Sequence, residues 1–322
     1  MLKPMILVTG ATGFVGRRVV SELSARGFQV RALVRRESKV PVSVDRNAEL
    51  VIGNILNAET LRNACEGADC VVHLAAIIRE PGNRTFNQVN YRGTVNVLQA
   101  AEDAGVRRIV HASAIGANPD PGIPYTYSRW MAEQEVQRSS MAHTILRFSV
   151  GFGEGDEFFN ILAAQAKILP VLLVVGNGLA KFQPIAVEDM ARCLVIAVEN
   201  SKEEELEGQL IEAGGPDHYT YNEILDCIAE TLGVKIAKVH VPIQLMQPAI
   251  RILKNIAPRF PVTTEQITML NIADITSRDS VRGVFGFEPS ALRNNLSYLQ
   301  KISLLDAIKI IIGFMPHRIR DH

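Results

Sequence analysis

The chain lacks several features that would have declared its chemistry at once. It holds only four cysteines in 322 residues, Cys65, Cys70, Cys193 and Cys227, none of them in a CxxC pair and all within apolar segments. That pattern excludes a zinc ribbon or a thioredoxin-type redox pair and predicts buried free thiols and no metal site. There is no excess of charge of either sign, since Lys plus Arg and Asp plus Glu both total 34. No global field therefore draws the protein to nucleic acid or to an acidic membrane, which leaves only local patches, and no nucleic-acid partner is expected. No stretch reaches the roughly 18 uninterrupted apolar residues of a membrane-spanning helix. The longest candidate, "ILPVLLVVG" from Ile168, is broken by Pro170. The start, "MLKPMILVTG", shows no basic region, apolar stretch and cleavage site of a secretory signal, so a reducing, cytoplasmic compartment is expected. Internal repeats and low-complexity tracts are absent as well.

What is present is material for a core. Hydrophobic residues make up 47% of the chain and the mean hydropathy is +0.11, enough for one large or two modest domains. The first half alternates short β-branched runs with helical patterns, the signature of βαβ units and a parallel sheet. Strands are predicted at 5–8, 29–34, 49–52, 70–74, 108–112 and 143–147, with helices at 14–26, 60–66, 89–104 and 124–139. Their near-continuous apolar character fits strands covered on both faces. The expected fold is α/β: a doubly wound Rossmann domain over residues 1–150 with a return segment at about 180–215. A smaller, mainly helical lobe is expected from 151–179 and 216–322. Within it, "TYNE" places Thr220 and Glu223 as a capping box opening a helix to Leu232.

Residues 9–16 read "TGATGFVG", directly after a strand and opening a helix. Gly10 allows the tight turn, Gly13 lets the backbone approach a pyrophosphate, and Gly16 permits close helix packing. Thr12, Phe14 and Val15 complete the loop, and the N–H groups at the helix start receive the phosphates. At the end of the second strand an acid would accept the ribose 2′-hydroxyl of NAD, whereas arginine accommodates the 2′-phosphate of NADP. Here the chain reads "LVRRES", with Arg35 and Arg36 and no acid before Glu37. A guanidinium binds phosphate bidentately, so NADP(H) is favoured over NAD(H).

"TGATGFVG", "HLAA" at 73–76, "NYRGTVNVL" from Asn90 and "YTYSR" from Tyr125 together resemble the extended and atypical short-chain dehydrogenase/reductases, the NAD-dependent epimerase/dehydratase-like proteins. "HASAIGANPD", "TILRFSVGFGEGDEFFN" and "KFQPIAVEDMA" are similar to the branch that contains the NADPH-binding accessory subunit of respiratory complex I and its bacterial relatives. The resemblance runs from Met5 to about Leu299. It implies Tyr125 as the catalytic acid/base, Ser113 as the hydroxyl that binds the substrate oxygen, and Asn90 as the helix asparagine of a proton relay. It further implies Asn54 and Ile55 after the third strand, Leu74, Ala75 and Ala76 after the fourth, and Phe148 as cofactor contacts.

The lysine that the family carries four residues after its tyrosine is Arg129 here. An arginine keeps the charge that lowers a phenol's pKa and can still bond ribose hydroxyls, but it cannot release a proton. A ribose contact shaped for lysine shifts, and misplacement by about 1 Å can cost roughly 100-fold in rate. Tyr127 lies about 200° around the helix from Tyr125 and reads as packing. Phe158 and Phe159 read as core, with a substrate-pocket lining as the alternative. His73, His111 and His143 read as satisfied core histidines.

The resemblance implies an oxidoreductase moving hydride between NADP(H) and a small or lipophilic carbonyl, alcohol or quinone-like substrate. Two readings stay open beside it: a non-catalytic NADPH-holding accessory or sensor protein, and a nucleotide-sugar epimerase or dehydratase. Two amphipathic stripes close the sequence, at 241–262 and from Leu296. In the second, Leu299, Ile302, Leu305, Ile308, Ile312 and Met315 recur at three- and four-residue spacing. These stripes either pack on the sheet or meet a protein partner or a membrane surface.

Overall fold

The computed structural model describes residues 3–36, 40, 42–199, 205–246, 274–316 and 319. Its first elements are β1 (Met5–Thr9), α1 (Gly16–Ala25), β2 (Gln29–Val34), α2 (Val42–Asn47), β3 (Glu49–Ile52), α3 (Ala58–Cys65) and β4 (Cys70–His73). A π-helical stretch, Asn87–Arg92, runs into α4 (Gly93–Asp103), followed by β5 (Arg108–Ala114), α5 (Pro124–Arg138) and β6 (Ala142–Phe148). Then come β7 (Gly151–Phe152), α6 (Phe158–Ile168), β8 (Val171–Val175), β9 (Lys181–Phe182), β10 (Ile185–Ala186), α7 (Val187–Glu199) and β11 (Gln209–Ala213). Last are β12 (Tyr219–Thr220), α8 (Tyr221–Leu232), β13 (Ala237–Val241) and the helices Ser280–Phe285 and Leu304–Ile311. Two compact units result, Met1–Phe148 with Val187–Ala213, and Ser149–Ala186 with Gly214–His322.

The first unit is a seven-stranded sheet in the order β11-β6-β5-β4-β1-β2-β3, parallel throughout. Continuous apolar strands need cover on both faces, and Ile6, Leu7, Val8, Val71, Val72, Ile109 and Val110 are all sealed from water. Crossover helices supply that cover: Val19, Val20 and Leu23 of α1 and Val97 and Ala101 of α4 are equally buried. Strand order reverses between β1 and β4, the switch point outside which a doubly wound sheet binds its ligand. This is a Rossmann-type α/β fold.

The second unit is organised around Phe152, Phe159, Leu172, Val174, Ile224, Ile228, Leu299 and Ile310. α8 opens with the expected capping box, the Thr220 hydroxyl accepting from the Glu223 N–H at 3.2 Å while the Glu223 carboxylate accepts from the Thr220 N–H at 2.7 Å.

Two expectations are corrected here. Residues 180–186 do not return to the main sheet: β9 pairs with β12 and β10 with β7, each in a separate two-stranded sheet, and the strand that does rejoin is β11. Two-residue strands are too short for their apolar pattern to specify a pairing partner. The second amphipathic stripe also does not form one face. A 3₁₀ turn over Ser297–Lys301 ends at Ile302, and a new helix starts at Leu304, capped by Ser303. The register resets there, so Leu299 and Ile302 are buried whereas Leu305 is 65% exposed and Ile308 and Ile312 are each 54% exposed. The other stripe, 241–262, lies outside the described residues beyond Met246.

Candidate functional site

The β1–α1 loop is built by contacts that no side chain fits. Gly10 has φ of +71°, and a Cβ there would sit 2.8 Å from the Ala75 nitrogen and 2.9 Å from the Leu74 carbonyl carbon. A Cβ on Gly16 would come within 2.1 Å of the Gly10 oxygen. Those two glycines let the loop fold back on itself and lie against the β4 end. Gly13 is exposed, and its N–H closes the turn on the Gly10 carbonyl at 2.9 Å. α1 begins at Gly16 with no side-chain cap and no acid in its first turn. Uncapped N–H groups and the positive end of the helix dipole suit a pyrophosphate, so this cradle fits a dinucleotide. Thr12, Phe14 and Val15 are half-buried along the loop. Arg35 and Arg36 follow β2 and are exposed, while Glu37 lies outside the described residues.

Thr9 and His73 lock the switch point. The Thr94 hydroxyl donates to the Asn90 carbonyl at 2.7 Å, so it accepts from His73 Nε2–H at 2.9 Å. His73 Nδ1 is then the acceptor for the Thr9 hydroxyl at 2.7 Å, the neutral tautomer fixed by its network. Burial, and then the Arg129 charge, push the His73 pKa down to about 3. Thr9 Oγ1 in turn accepts from the Leu74 and Ala75 N–H groups, at 3.3 and 3.4 Å. His73 is thus the satisfied core histidine expected.

His111 is not. It stacks on His73 with ring centroids 5.3 Å apart, and both its ring nitrogens are buried without a hydrogen-bond partner. Burial, then His73 and Arg129, drive its pKa well below the ordinary histidine range.

Asn90 sits in the π-helical stretch, a distortion that recurs at functional sites. Its side chain accepts from the Ile77 N–H at 2.8 Å and donates to the Ile77 carbonyl and to the Ser128 hydroxyl, both at 3.1 Å. Ser128 passes its own proton to the Tyr125 carbonyl at 2.7 Å. Asn90 therefore ties the chain after β4 to the first turn of α5, where Tyr125 is 8% exposed and packs edge-on against Phe86 at 5.6 Å.

Tyr125, Arg129 and Glu133 recur every four residues on one buried face of α5. Arg129 Nη2 donates to the Ala112 carbonyl of β5, and its Nε is buried without a hydrogen-bond partner. Glu133, fully buried, accepts the Ser113 hydroxyl at 2.5 Å and is gripped bidentately by Arg147, at 2.9 and 2.6 Å. Ser113 faces Arg147 across β5 and β6, and Arg147 faces Glu212 across β6 and β11. The Ser113 proton thus goes to a buried carboxylate in this arrangement.

The remaining positions divide. Asn54 Oδ1 accepts from the Leu56 N–H at 3.0 Å, closing a turn after β3. Ile55 is buried against Gly93, Leu74 and Ala75 are half-buried beside Gly10, and Ala76 is exposed. Phe148 is 4% exposed. Tyr127 turns away and stacks on Trp130 at 5.9 Å. Phe158 and Phe159 meet edge-to-face at 5.1 Å within the second unit's aromatic cluster, so core packing is what they do. His143 is half-buried beside the Met141 carbonyl. The four cysteines are free and buried. Among the described residues no group of His, Cys, Asp and Glu could hold a metal ion.

Thr9, Thr94, Ser128, Glu133 and Arg147 escaped the sequence reading. Glu133 was legible in principle, as the next residue on the Tyr125–Arg129 face, and Arg147 as the strand residue opposite Ser113.

Comparison with known proteins agrees with this geometry. The model of the NAD dependent epimerase/dehydratase family matches residues 6–211. Similar proteins include a ceramide reductase of Caulobacter vibrioides, 31% identical over 241 residues, 74% of each chain. Another is the NADH dehydrogenase [ubiquinone] 1 alpha subcomplex subunit 9 of Arabidopsis thaliana mitochondria, 26% identical over 85% of this chain and 70% of that one. The crystal structure of gox2253 superimposes with a TM-score of 0.73 at 26% identity, covering 92% of this chain and 96% of the other. The chain belongs to the NAD dependent epimerase/dehydratase family, whose members bind a nicotinamide dinucleotide.

Proposed function

We propose that this member of the family binds NADP(H) and moves hydride between it and a lipophilic carbonyl or alcohol, with Tyr125 exchanging the proton at the substrate oxygen. The observation that carries the reading is the combination of a dinucleotide cradle at Gly10–Gly16 with a buried tyrosine at the family's catalytic position. The nicotinamide supplies or accepts the hydride; the protein's part is placement and the proton. Asn90 and Ser128 fix the first turn of α5, and with it the Tyr125 backbone. With the Ser113 proton given to Glu133, the Tyr125 hydroxyl is left as the donor to a developing alkoxide. Arg35 and Arg36, with no acid before Glu37, favour a 2′-phosphate. A lipid-like substrate is supported by the similarity to a ceramide reductase.

The test is consumption of NADPH, followed by nicotinamide absorbance, against a panel of ketones, ceramide-like oxo-lipids and quinones. Turnover in the wild type that falls about 100-fold or more in Tyr125→Phe supports the reading. Titration by nicotinamide fluorescence should show NADPH binding tighter than NADH, with the preference falling about tenfold or more in the Arg35→Ala, Arg36→Ala variant. Equal affinity for the two would refute the NADP(H) assignment.

A second reading is favoured by one observation. Arg129, at the family's lysine position, spends Nη2 on the Ala112 carbonyl, which supports a protein that holds NADPH without turning it over, as an accessory subunit does. Tight NADPH binding with a flat absorbance trace, and turnover only in Arg129→Lys, would select it.

A further inference from the structure

The helix Leu304–Ile311 has two unlike faces. Ala307 and Ile310 enter the second unit's core, and Asp306, the helix's one acid, is 4% exposed and turned back to cap Ser303. The opposite face presents Leu304 and Leu305, each 65% exposed, with Ile308 and Ile312 each 54% exposed. These four aliphatic side chains follow the spacing i, i+1, i+4, i+8, which gathers them on one side of a helix. The charges that flank them in water are Lys309 within the helix and Lys301 just before it, the latter paired with Glu154. In the sequence that follows, "MPHRIRDH", Arg318 and Arg320 outnumber Asp321.

A large aliphatic stripe in water marks an interaction surface. Its rim decides the kind of partner. The helix has turned its only carboxylate inward and kept its cation outward, so the exposed face is apolar and positive at once. An apolar stripe with a lysine beside it on a short helix is the pattern of a segment that lies in the headgroup layer of an anionic bilayer. Among the described residues no helix is long and apolar enough to cross a membrane, so contact on this face is parallel to the surface.

We infer that the Leu304, Leu305, Ile308 and Ile312 face, with Lys309 beside it, docks this protein on an anionic lipid bilayer. The inference is independent of the proposed catalytic role, because none of these residues belongs to the nucleotide unit.

The 322-residue chain is mixed with phosphatidylcholine vesicles, with or without phosphatidylserine, and floated on a density gradient. The expected result is co-flotation with the phosphatidylserine vesicles, weakened by salt and reduced about tenfold or more by Leu305→Glu with Ile308→Glu. Lys309→Glu should weaken binding to the anionic vesicles alone. Each variant should keep wild-type NADPH affinity and thermal transition, which separates lost docking from lost fold. No flotation at low salt, or flotation indifferent to the substitutions, overturns the inference. So does a concentration-dependent dimer in sedimentation that the same substitutions dissolve, which would make the face a contact between copies.

Discussion

The two units differ in degree in where they put polar and aliphatic side chains, for the second also buries Asp156, Asn160 and Gln183 and the first also exposes Ile52 and Ile78. The first buries polar side chains beneath its sheet ends: Thr9, His73, Asn90, His111, Ser113, Ser128, Arg129 and Glu133 are each at most 5% exposed. The second leaves aliphatic side chains in water, among them Leu169 at the C-cap of α6, Val171 and Leu173 on β8, Val239 on β13, and Leu304, Leu305 and Ile308. A buried polar group is costly unless paired, so its persistence in a core points to chemistry or to specificity. An exposed aliphatic group is cheap singly and informative in numbers, because it points to a partner. The buried polar network lies in the unit that carries the glycine cradle, and the exposed aliphatic helix face lies in the other.

The largest effect that would break this contrast lies at Glu133. Its carboxylate is sealed from water and held by Arg147 and Ser113. Removing one partner of a buried pair leaves an uncompensated charge, so Arg147→Met should lower the unfolding free energy by about 3–5 kcal/mol in urea titrations. Adding Glu133→Gln to that variant should restore part of the loss, since the orphaned charge is gone. A loss below about 1 kcal/mol would show the network to be wetter than its burial implies.

Next is Gly16. A methyl there meets the Gly10 carbonyl oxygen at 2.1 Å, a backbone atom that cannot step aside. Gly16→Ala should cost about 1–3 kcal/mol of stability and weaken NADPH binding by more than the stability loss accounts for, as read by fluorescence titration. Gly283, where a Cβ meets nothing within 4 Å, is the matched control in the second unit.

The pH dependence of stability sharpens the comparison because the units oppose each other. In the first, the His73 pKa is about 3 in the fold and His111 is likewise low, against about 6.5 unfolded. The unfolded chain therefore takes up protons that the fold refuses. Stability is whole above about pH 6.5 and is lost as pH falls towards 3, by about 1.4 kcal/mol per pH unit per histidine. In the second unit burial raises Asp156 to about 7, against the pull of Tyr298 and three backbone N–H groups. Stability is there present below the unfolded value near pH 4 and lost as pH rises to 7. Calorimetric scans from pH 4 to 7 should show a steeper acid loss in Asp156→Asn than in wild type, because the opposing slope is removed. Identical slopes would mean that Asp156 stays ionised in the fold.

How far the sequence could be read follows the same divide. "TGATGFVG" was legible because glycine reports backbone geometry directly, and Gly10 and Gly16 stand where no Cβ fits. The central strands of the first unit, β1, β4 and β5, were legible because burial on both faces leaves no polar alternation to misread. What stayed hidden were partners distant in sequence: the Ser113 proton goes to Glu133 twenty residues on, and His111 looked as ordinary as His73 until its nitrogens were found unbonded. In the second unit periodicity misled. The 3.6-residue pattern ran unbroken through Ile302, while the backbone changed from a 3₁₀ turn to a freshly capped helix.

The smallest predicted effect tests that last point most cleanly. Ile308 and Ile310 are two residues apart on one short helix, the first 54% exposed and the second 2%. Sequence periodicity placed Ile308 in the apolar stripe, without deciding whether that stripe packs inward or meets a partner, and left Ile310 out. The structure buries Ile310 and exposes Ile308. Ile310→Ala should therefore cost about 2–4 kcal/mol, because the core around α6 has to accept a cavity, whereas Ile308→Ala should stay within about 0.5 kcal/mol of wild type, as surface substitutions do. Equilibrium urea unfolding of the two variants reads both. Comparable losses would mean that Ile308 is covered within the protein itself, leaving no aliphatic face on this helix for a bilayer to receive.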